Sequence, residues 1–337
     1  MNRRCFLGSV AAAVATRGSG AQTRLKFRSD GTFTVLMISD LHYSAKADPY
    51  GIALTEKLIT KESPDVVIVA GDCLSGDRCH TREELEAGIA NVAAAMERKT
   101  VPWAITFGNH DQGHFARTNI GKEQVMALYE RYPHNINAGW VRGIHGVGNR
   151  NIPILNSAGT KPVFVLWLMD SGDYTKDRED NYDWIHADQV NWYVQVSKDL
   201  EKQYGGKLPG LMFFHIPLLE FKEMAATKQF TGERHESEST SAVNGGMFAG
   251  ILERGDVKGV FCGHDHVNSY VGLWRGVCLG YDALAGYDTY PHLQAEDPAN
   301  GSIRGGRVFR IMESNAWRFK TWMRFQDESI DGEFSTG

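Results

Sequence analysis

Five short blocks of this 337-residue chain carry side chains suited to metal ions. They are Asp40-Leu41-His42, Gly71-Asp72, Gly108-Asn109-His110-Asp111, His215 and Gly263-His264-Asp265-His266. Mixed imidazole and carboxylate donors suit ions of the Fe, Mn and Zn kind. A carboxylate has two oxygens and can bridge two cations, whereas an Asn carbonyl oxygen coordinates without adding charge. Two metals about 3.5–4 Å apart clamp a phosphoryl group and produce a hydroxide near neutral pH. A lone Asp-x-His or Gly-Asp is a common turn, so the weight lies on the set of five. Gly before Asp, Asn or His lets the backbone turn tightly into a site.

These blocks need elements to carry them. Apolar runs at 34–38, 65–70, 103–107, 163–169, 211–214 and 257–262 read as strands, and each of the five blocks lies just past the end of one. Asp40, Asp72 and Asn109 follow one another at intervals of 32 and 37 residues, about one βα unit each. Helical patterns occupy 51–61, 81–98, 121–132 and 188–203, with Thr81 as an N-cap and Glu84 three residues on. The βαβαβα order of the first half predicts a parallel sheet with helices against it. In such a sheet ligands gather outside the carboxyl ends of the strands, so distant blocks can share one crevice. The stretch 135–161 is rich in Gly, Asn and Pro and reads mostly as loop, with room for short hairpins. The polar stretch 221–244 reads as a mobile loop over a site. Strand patterns return at 270–274, 277–281, 307–312 and 318–324, with no internal repeat or linker, which predicts one domain over 30–325.

Bulk composition narrows the partners. The 36 basic and 41 acidic residues leave a net charge of −5, which argues against nucleic-acid or membrane-surface binding by bulk charge. It says nothing against a small anionic substrate beside metal ions. Residues 1–21 have the layout of a cleaved signal peptide: Arg3 and Arg4, a short apolar run from Gly8 to Ala15, then Ser19-Gly20-Ala21. The Arg pair before Phe6-Leu7 resembles the bacterial twin-arginine signal, which predicts export to the periplasm or beyond. That route carries folded proteins and suits an enzyme loaded with metals beforehand. No later stretch reaches transmembrane length. Cys73, Cys79, Cys262 and Cys278 lack a zinc-type spacing and read mostly as free, buried thiols. Nothing in the residues fixes an oligomeric state.

All five blocks, in this order, resemble the calcineurin-like metallophosphoesterase superfamily. Asp40-Leu41-His42-Tyr43, Asp170-Ser171-Gly172-Asp173-Tyr174, Phe214-His215-Ile216-Pro217 and Phe261 to Asn268 are similar to a narrower group. That group is the small purple-acid-phosphatase-like proteins of yeast and plants, the serine/threonine-phosphatase-like branch. The resemblance implies an α/β fold, a four-layer α/β/β/α sandwich of two mixed β-sheets flanked by helices. It implies one metal on Asp40, His42, Asp72 and His266, and a second on Asp72, Asn109, His215 and His264. His110 would stand beside the metals, bind phosphate and protonate the leaving oxygen, while a metal-activated hydroxide attacks phosphorus in line. One departure stands out: true purple acid phosphatases have a metal-binding Tyr three residues after the bridging Asp, and here that position is Ser75. The purple ferric–tyrosinate site is therefore not expected, and two divalent or mixed-valence ions, Fe, Mn or Zn, all remain open.

Other residues carry weaker readings. Asp111 is a partner that orients nearby imidazoles. Asp173 belongs to a block that either lines the crevice or forms a turn. Tyr43 adjoins His42, and His114 lies near His110. His80, His134, His145, His186, His235 and His292 read as exposed or hydrogen-bonded side chains. Tyr281 to Tyr290, with Gly286, reads as a substrate-facing loop or an aromatic surface turn, and Trp192 and Tyr193 as core. The expected activity is phosphomonoester hydrolysis. A phosphodiesterase acting on nucleotides or phospholipid headgroups shares the same ligands, and an idle metal-binding protein is the reading from another class.

Overall fold

The computed structural model describes residues 24–175, 182–289 and 303–336. The leader expected at 1–21 and His292 lie outside the described residues. β1 (Thr32–Ile38), α1 (Pro49–Glu62), β2 (Val66–Ala70), α2 (Arg82–Arg98) and β3 (Trp103–Thr106) alternate through the first third. The short α3 (Phe115–Thr118) and α4 (Lys122–Tyr129) follow. Next come β4 (Arg150–Leu155), β5 (Pro162–Leu168), α5 (Ala187–Tyr204), β6 (Gly210–Phe213), α6 (Leu219–Thr227), β7 (Phe230–Thr231) and α7 (Met247–Arg254). β8 (Val257–Cys262), β9 (Val271–Trp274), β10 (Val277–Tyr281), β11 (Gly305–Met312), β12 (Phe319–Phe325) and β13 (Ile330–Ser335) complete the chain.

These strands form two mixed sheets. One runs β13-β12-β11-β1-β2-β3, with β1, β2 and β3 parallel. The other runs β4-β5-β6-β8-β10-β9-β7, with β5, β6, β8 and β10 parallel. Alternation along each strand sorts side chains into separate cores. Leu36, Ile38, Val67 and Val69 pack outward against Leu54 and Leu58 of α1, Leu85 and Ile89 of α2 and Val125 of α4. Val35, Met37, Val66 and Ile68 point the other way and meet Phe164, Leu166, Leu211, Phe213 and Phe261 of the second sheet. Val165, Trp167, Met212 and Val260 face Tyr193 of α5, Phe221 of α6 and Phe248 of α7. Three apolar layers thus hold four layers of secondary structure, in the order helix, sheet, sheet, helix.

Capping explains the helix starts. Asp48 accepts from Tyr50 N and Gly51 N ahead of α1, with Pro49 in its first turn, and Thr81 accepts from Glu84 N ahead of α2. Residues 135–161 are mostly loop, as read, and the hairpin they allow is β4 with β5; β4 is an edge strand whose Pro153 lacks an N–H and so suits an edge. The next polar stretch differs from the sequence reading. Residues 221–244 are largely ordered structure: α6, β7 and a segment bonded to the loop after β8. α7 was not read from the sequence because it is only eight residues long, about two turns, too short for a sustained helical period.

Candidate binuclear metal centre

The parallel strands of both sheets end at the same edge, and the five blocks meet there. Asp40 and His42 follow β1, Asp72 follows β2, Asn109 and His110 follow β3, His215 follows β6, and His264 and His266 follow β8. Donor atoms of Asp40, His42, Asp72 and His266 lie within 4.8 Å of one another, as do those of Asp72, His215 and His264. Asp72 is common to both groups. Its Oδ2 is 3.5 Å from His42 Nε2 and 3.1 Å from His215 Nε2. His42 Nε2 is 3.2 Å from His266 Nε2, and His264 Nδ1 is 3.3 Å from His215 Nε2. Asn109 is buried with an Oδ1 that has no hydrogen-bond partner.

The local backbone is unusual. Asp40, His42, Asp72 and His264 have φ of 54°, 51°, 46° and 78°, a region costly for residues with a Cβ. Such strain costs roughly 1–3 kcal/mol per residue and persists only where the surroundings fix it. They are fixed here by cross-strand bonds: Asp40 N to Gly71 O, His42 N to Asp72 O, and His264 N to Asp40 Oδ2 at 3.1 Å. The glycines matter for space more than for turning. A Cβ on Gly108 would lie 2.2 Å from Asp72 Oδ1, one on Gly263 2.5 Å from Asp40 Oδ2, and one on Gly71 2.5 Å from the His215 ring. Only Gly71 of these three has positive φ, so close approach of a neighbouring ligand explains the other two.

Protonation follows from burial and charge. His215 Nδ1 donates to Ala70 O at 2.9 Å, which turns Nε2 toward the carboxylates. Burial opposes a charge on His215, but Asp72 and Asp40 outweigh it and raise its pKa to about 10. That proton is one that metal binding must displace. Burial pushes His42 and His264 down to about 3, leaving neutral imidazoles with free lone pairs. Burial also opposes charge on Asp72, yet His215 and His42 hold its carboxyl well below the usual range. The neutral imidazoles of His42 and His264 beside the ionised carboxylate of Asp72, with Asn109 Oδ1 and His264 Nε2 buried and unpartnered, belong to a donor set that fits two cations.

The remaining residues sort by their contacts. His110 is half-buried; its N donates to Asp72 Oδ1 at 2.9 Å, and its Nε2 lies 3.2 Å from Tyr174 Oη. Asp111 orients backbone rather than imidazoles: it accepts from Leu74 N at 2.8 Å and Gly108 N at 2.7 Å, pinning the loops after β2 and β3. Burial and then Asp72 raise its pKa to about 7. Tyr43 points away from the ligands into the core beneath α1 and is 1% exposed, because the chain turns at His42. His114 is buried, bonded to Thr118 Oγ1 at 2.8 Å, and joins neither donor group. Asp173 accepts from Tyr174 N at 2.7 Å, a turn contact. Ser171, which sequence reasoning did not single out, accepts from His215 N and Ile216 N at 3.2 and 2.8 Å. Tyr174 was likewise missed, although its block was read as either lining the crevice or forming a turn. Tyr281 is buried and donates to Asp265 Oδ2 at 2.6 Å, so it braces the His264–His266 loop from behind. Tyr193 is core, as read, and Cys73, Cys79, Cys262 and Cys278 are free and buried. No helix among the described residues is long and apolar enough to cross a membrane.

Two mixed sheets flanked by helices, with a donor set for two metals at their shared edge, define the dimetal phosphoesterase class. Residues 33–268 match the family described as Calcineurin-like phosphoesterase, and the chain belongs to that family. It is 31% identical to "Probable inactive purple acid phosphatase 14" of Arabidopsis thaliana, over 91% of this chain and 84% of that protein. It is 28% identical to "Phosphatase DCR2" of Saccharomyces cerevisiae, over 75% of this chain and 47% of that protein. A dimetal phosphatase from Danio rerio shares the fold, with a TM-score of 0.60 at 14% identity over 90% of this chain and 98% of that one.

Proposed function

We propose that this chain is an active phosphatase that hydrolyses phosphomonoesters at a binuclear metal centre. The observation that carries the reading is Asp72, shared by two converging donor groups, with His110 bonded to it and free of both. Asp40, His42, Asp72 and His266 would hold one ion; Asp72, Asn109, His215 and His264 the other. Such a pair, when bound, lowers the pKa of water and neutralises the phosphoryl oxygens. His110 would bind the phosphoryl group and give its Nε2 proton to the leaving oxygen. Asp111, Ser171 and Tyr281 would hold the ligand loops in place, as their backbone and side-chain bonds indicate.

The Arabidopsis relative is named as probably inactive. In this chain the full donor set and His110 argue for turnover, since an idle metal-binding protein has no use for an acid beside the ions. Metal analysis of protein loaded in the cell should give near two ions per chain. Mono- and bis-nitrophenyl phosphate assayed in parallel should favour the monoester. A metal-free protein that still turned over, or a strong diester preference, would overturn the reading. We also propose export through the 1–21 leader; replacing Arg3 and Arg4 by Lys should leave the protein inside the cell.

A further inference from the structure

The outer face of the six-stranded sheet is covered unevenly. α1 packs on β1 and β11, and α2 lies beside α1. Toward β12 and β13 the face opens, with Met312 and Ile330 43% and 46% exposed. A groove of about 730 Å³ lies there, with the nearly buried Trp322 in its wall, a volume that takes several side chains of a ligand. It is remote from the metal centre. Met312 pairs with Thr32 at the start of β1, whereas Asp40 lies past the other end of that seven-residue strand, about 20 Å away.

The charges of the groove are unbalanced. Five cations line it, Lys61, Arg310, Arg318, Lys320 and Arg324, against two acids, Glu62 and Glu333. Arg324 takes Glu62 at 2.6 Å and Lys61 pairs with Glu328 at 2.9 Å, which leaves Arg310, Arg318 and Lys320 without an ion pair among the described residues. The strand register makes this costly. Arg310 lies directly opposite Lys320 on the neighbouring antiparallel strand, and both are exposed. The other neighbour of Arg310 is Thr34 and that of Lys320 is Ser335, so the row across four strands holds two cations and no acid. Like charges directly opposite one another destabilise a sheet. The Arg310 guanidinium also sits over the Trp322 ring at 5.1 Å, which keeps it at the groove. An anion from outside relieves the repulsion.

Charge and shape select the occupant. The chain as a whole carries a net charge of −5, so a broad anionic surface, membrane or nucleic acid, is repelled by the rest of the molecule. A short segment in the groove meets only the cations within a screening length. A second copy in a twofold contact would set the same cations against one another. We infer that this groove docks an acidic, partly apolar segment of a partner protein. Its carboxylates meet Arg310, Arg318 and Lys320, and its apolar side chains meet Trp322, Met312 and Ile330.

The test uses metal-loaded full-length protein and a short fluorescent peptide that alternates Glu with Leu and Trp, beside the same peptide with Gln for Glu. The acidic peptide should bind about tenfold or more tightly than the Gln peptide and weaken as salt rises. Arg310→Gln combined with Lys320→Gln should weaken it about tenfold. The nitrophenyl phosphate rate should stay the same, and the melting temperature should not fall, because the like-charge pair is gone. Lys222→Gln, at an exposed position on α6, should leave the affinity as it was. Equal affinity for the two peptides, or an affinity that the double substitution leaves alone, would overturn the docking role. So would tighter binding to vesicles of anionic phospholipid or to single-stranded DNA than to the peptide, lost on the double substitution. A dimer that the double substitution splits and the peptide does not would overturn it as well.

Discussion

Two clusters of His and Asp in this protein look alike by composition and differ in everything else. One is the donor set around Asp72; the other is His145, Asp183 and His186, whose donor atoms also lie within 4.8 Å of one another. In the first, His42 and His266 meet at 65°, and His215 and His264 at 73°, so their in-plane lone pairs can converge. In the second, His145 and His186 stack 3.5 Å apart at 13°, and Trp184 continues the stack on His186 at 8°. Parallel rings send their lone pairs side by side and cannot share one ion well. The first cluster lies on strained backbone packed against glycines; none of the three residues of the second has positive φ. The second cluster already satisfies its own polar atoms: the carboxylate bonds both imidazoles. Proximity of donors is therefore a weak criterion, and convergence with unpartnered atoms is the strong one.

The comparison can be broken at several points. Asp72→Ala should remove both ions and lower kcat at least about a thousandfold, roughly 4 kcal/mol, whereas Asp183→Ala should keep the metal count. A third ion per chain, lost on Asp183→Ala, would erase the distinction. His110→Ala should lower kcat about 10²–10⁴-fold with metal content intact, as measured by elemental analysis beside steady-state rates. Gly108→Ala should force Asp72 aside and weaken metal affinity, by about 10–100-fold in a competitive chelator titration if it acts like loss of a ligand-orienting contact. Gly206→Ala, where an added Cβ meets nothing within 4 Å, should leave the affinity as it was.

The smallest effect concerns the second cluster and sharpens the contrast through pH. Burial works against the Asp183 charge, but the bonds from His145 and His186 pull its pKa down to about 2. The bond to Asp183 raises His145, against its burial. Stability from Asp183 is complete above its unfolded pKa of about 3.9 and is lost as pH falls toward the folded value. Stability from His145 is complete below about 6.5 and is lost as pH rises through its raised folded value. Asp183→Asn should thus cost most between about pH 4 and 6.5, and less than about 1 kcal/mol given partial exposure. Denaturant melts across pH would show it; a flat difference would mean that the cluster is not an ion pair.

Much of the fold was legible because the apolar strands β1, β2, β3, β6 and β8 are short, continuous and bounded by ligand blocks, and β5 is a continuous apolar run. β4 and α6 were not, since an edge strand with Pro153 and a nine-residue helix both lack a long periodic signal. The ligand residues were legible by type, because few other chemistries call for Asp, Asn and His after five strands. Their supports were not. Nothing in Asp111 says that its carboxylate will bind the backbone of two loops, and Tyr43 reads as a neighbour of His42 until a φ of 51° turns the chain away.

The sequence by itself determined which atoms can hold metal and where along the chain they occur, because donor chemistry belongs to residue types. Only the tertiary structure decided which donors converge, that Asp72 is common to both groups, and that Tyr174 faces His110. Those facts depend on two sheets meeting through Phe213, Phe261 and their neighbours, contacts between residues far apart in sequence. The glycines at 71, 108 and 263 show the division plainly. The sequence marks them as turns, and the fold makes two of them spaces for a neighbour's carboxylate.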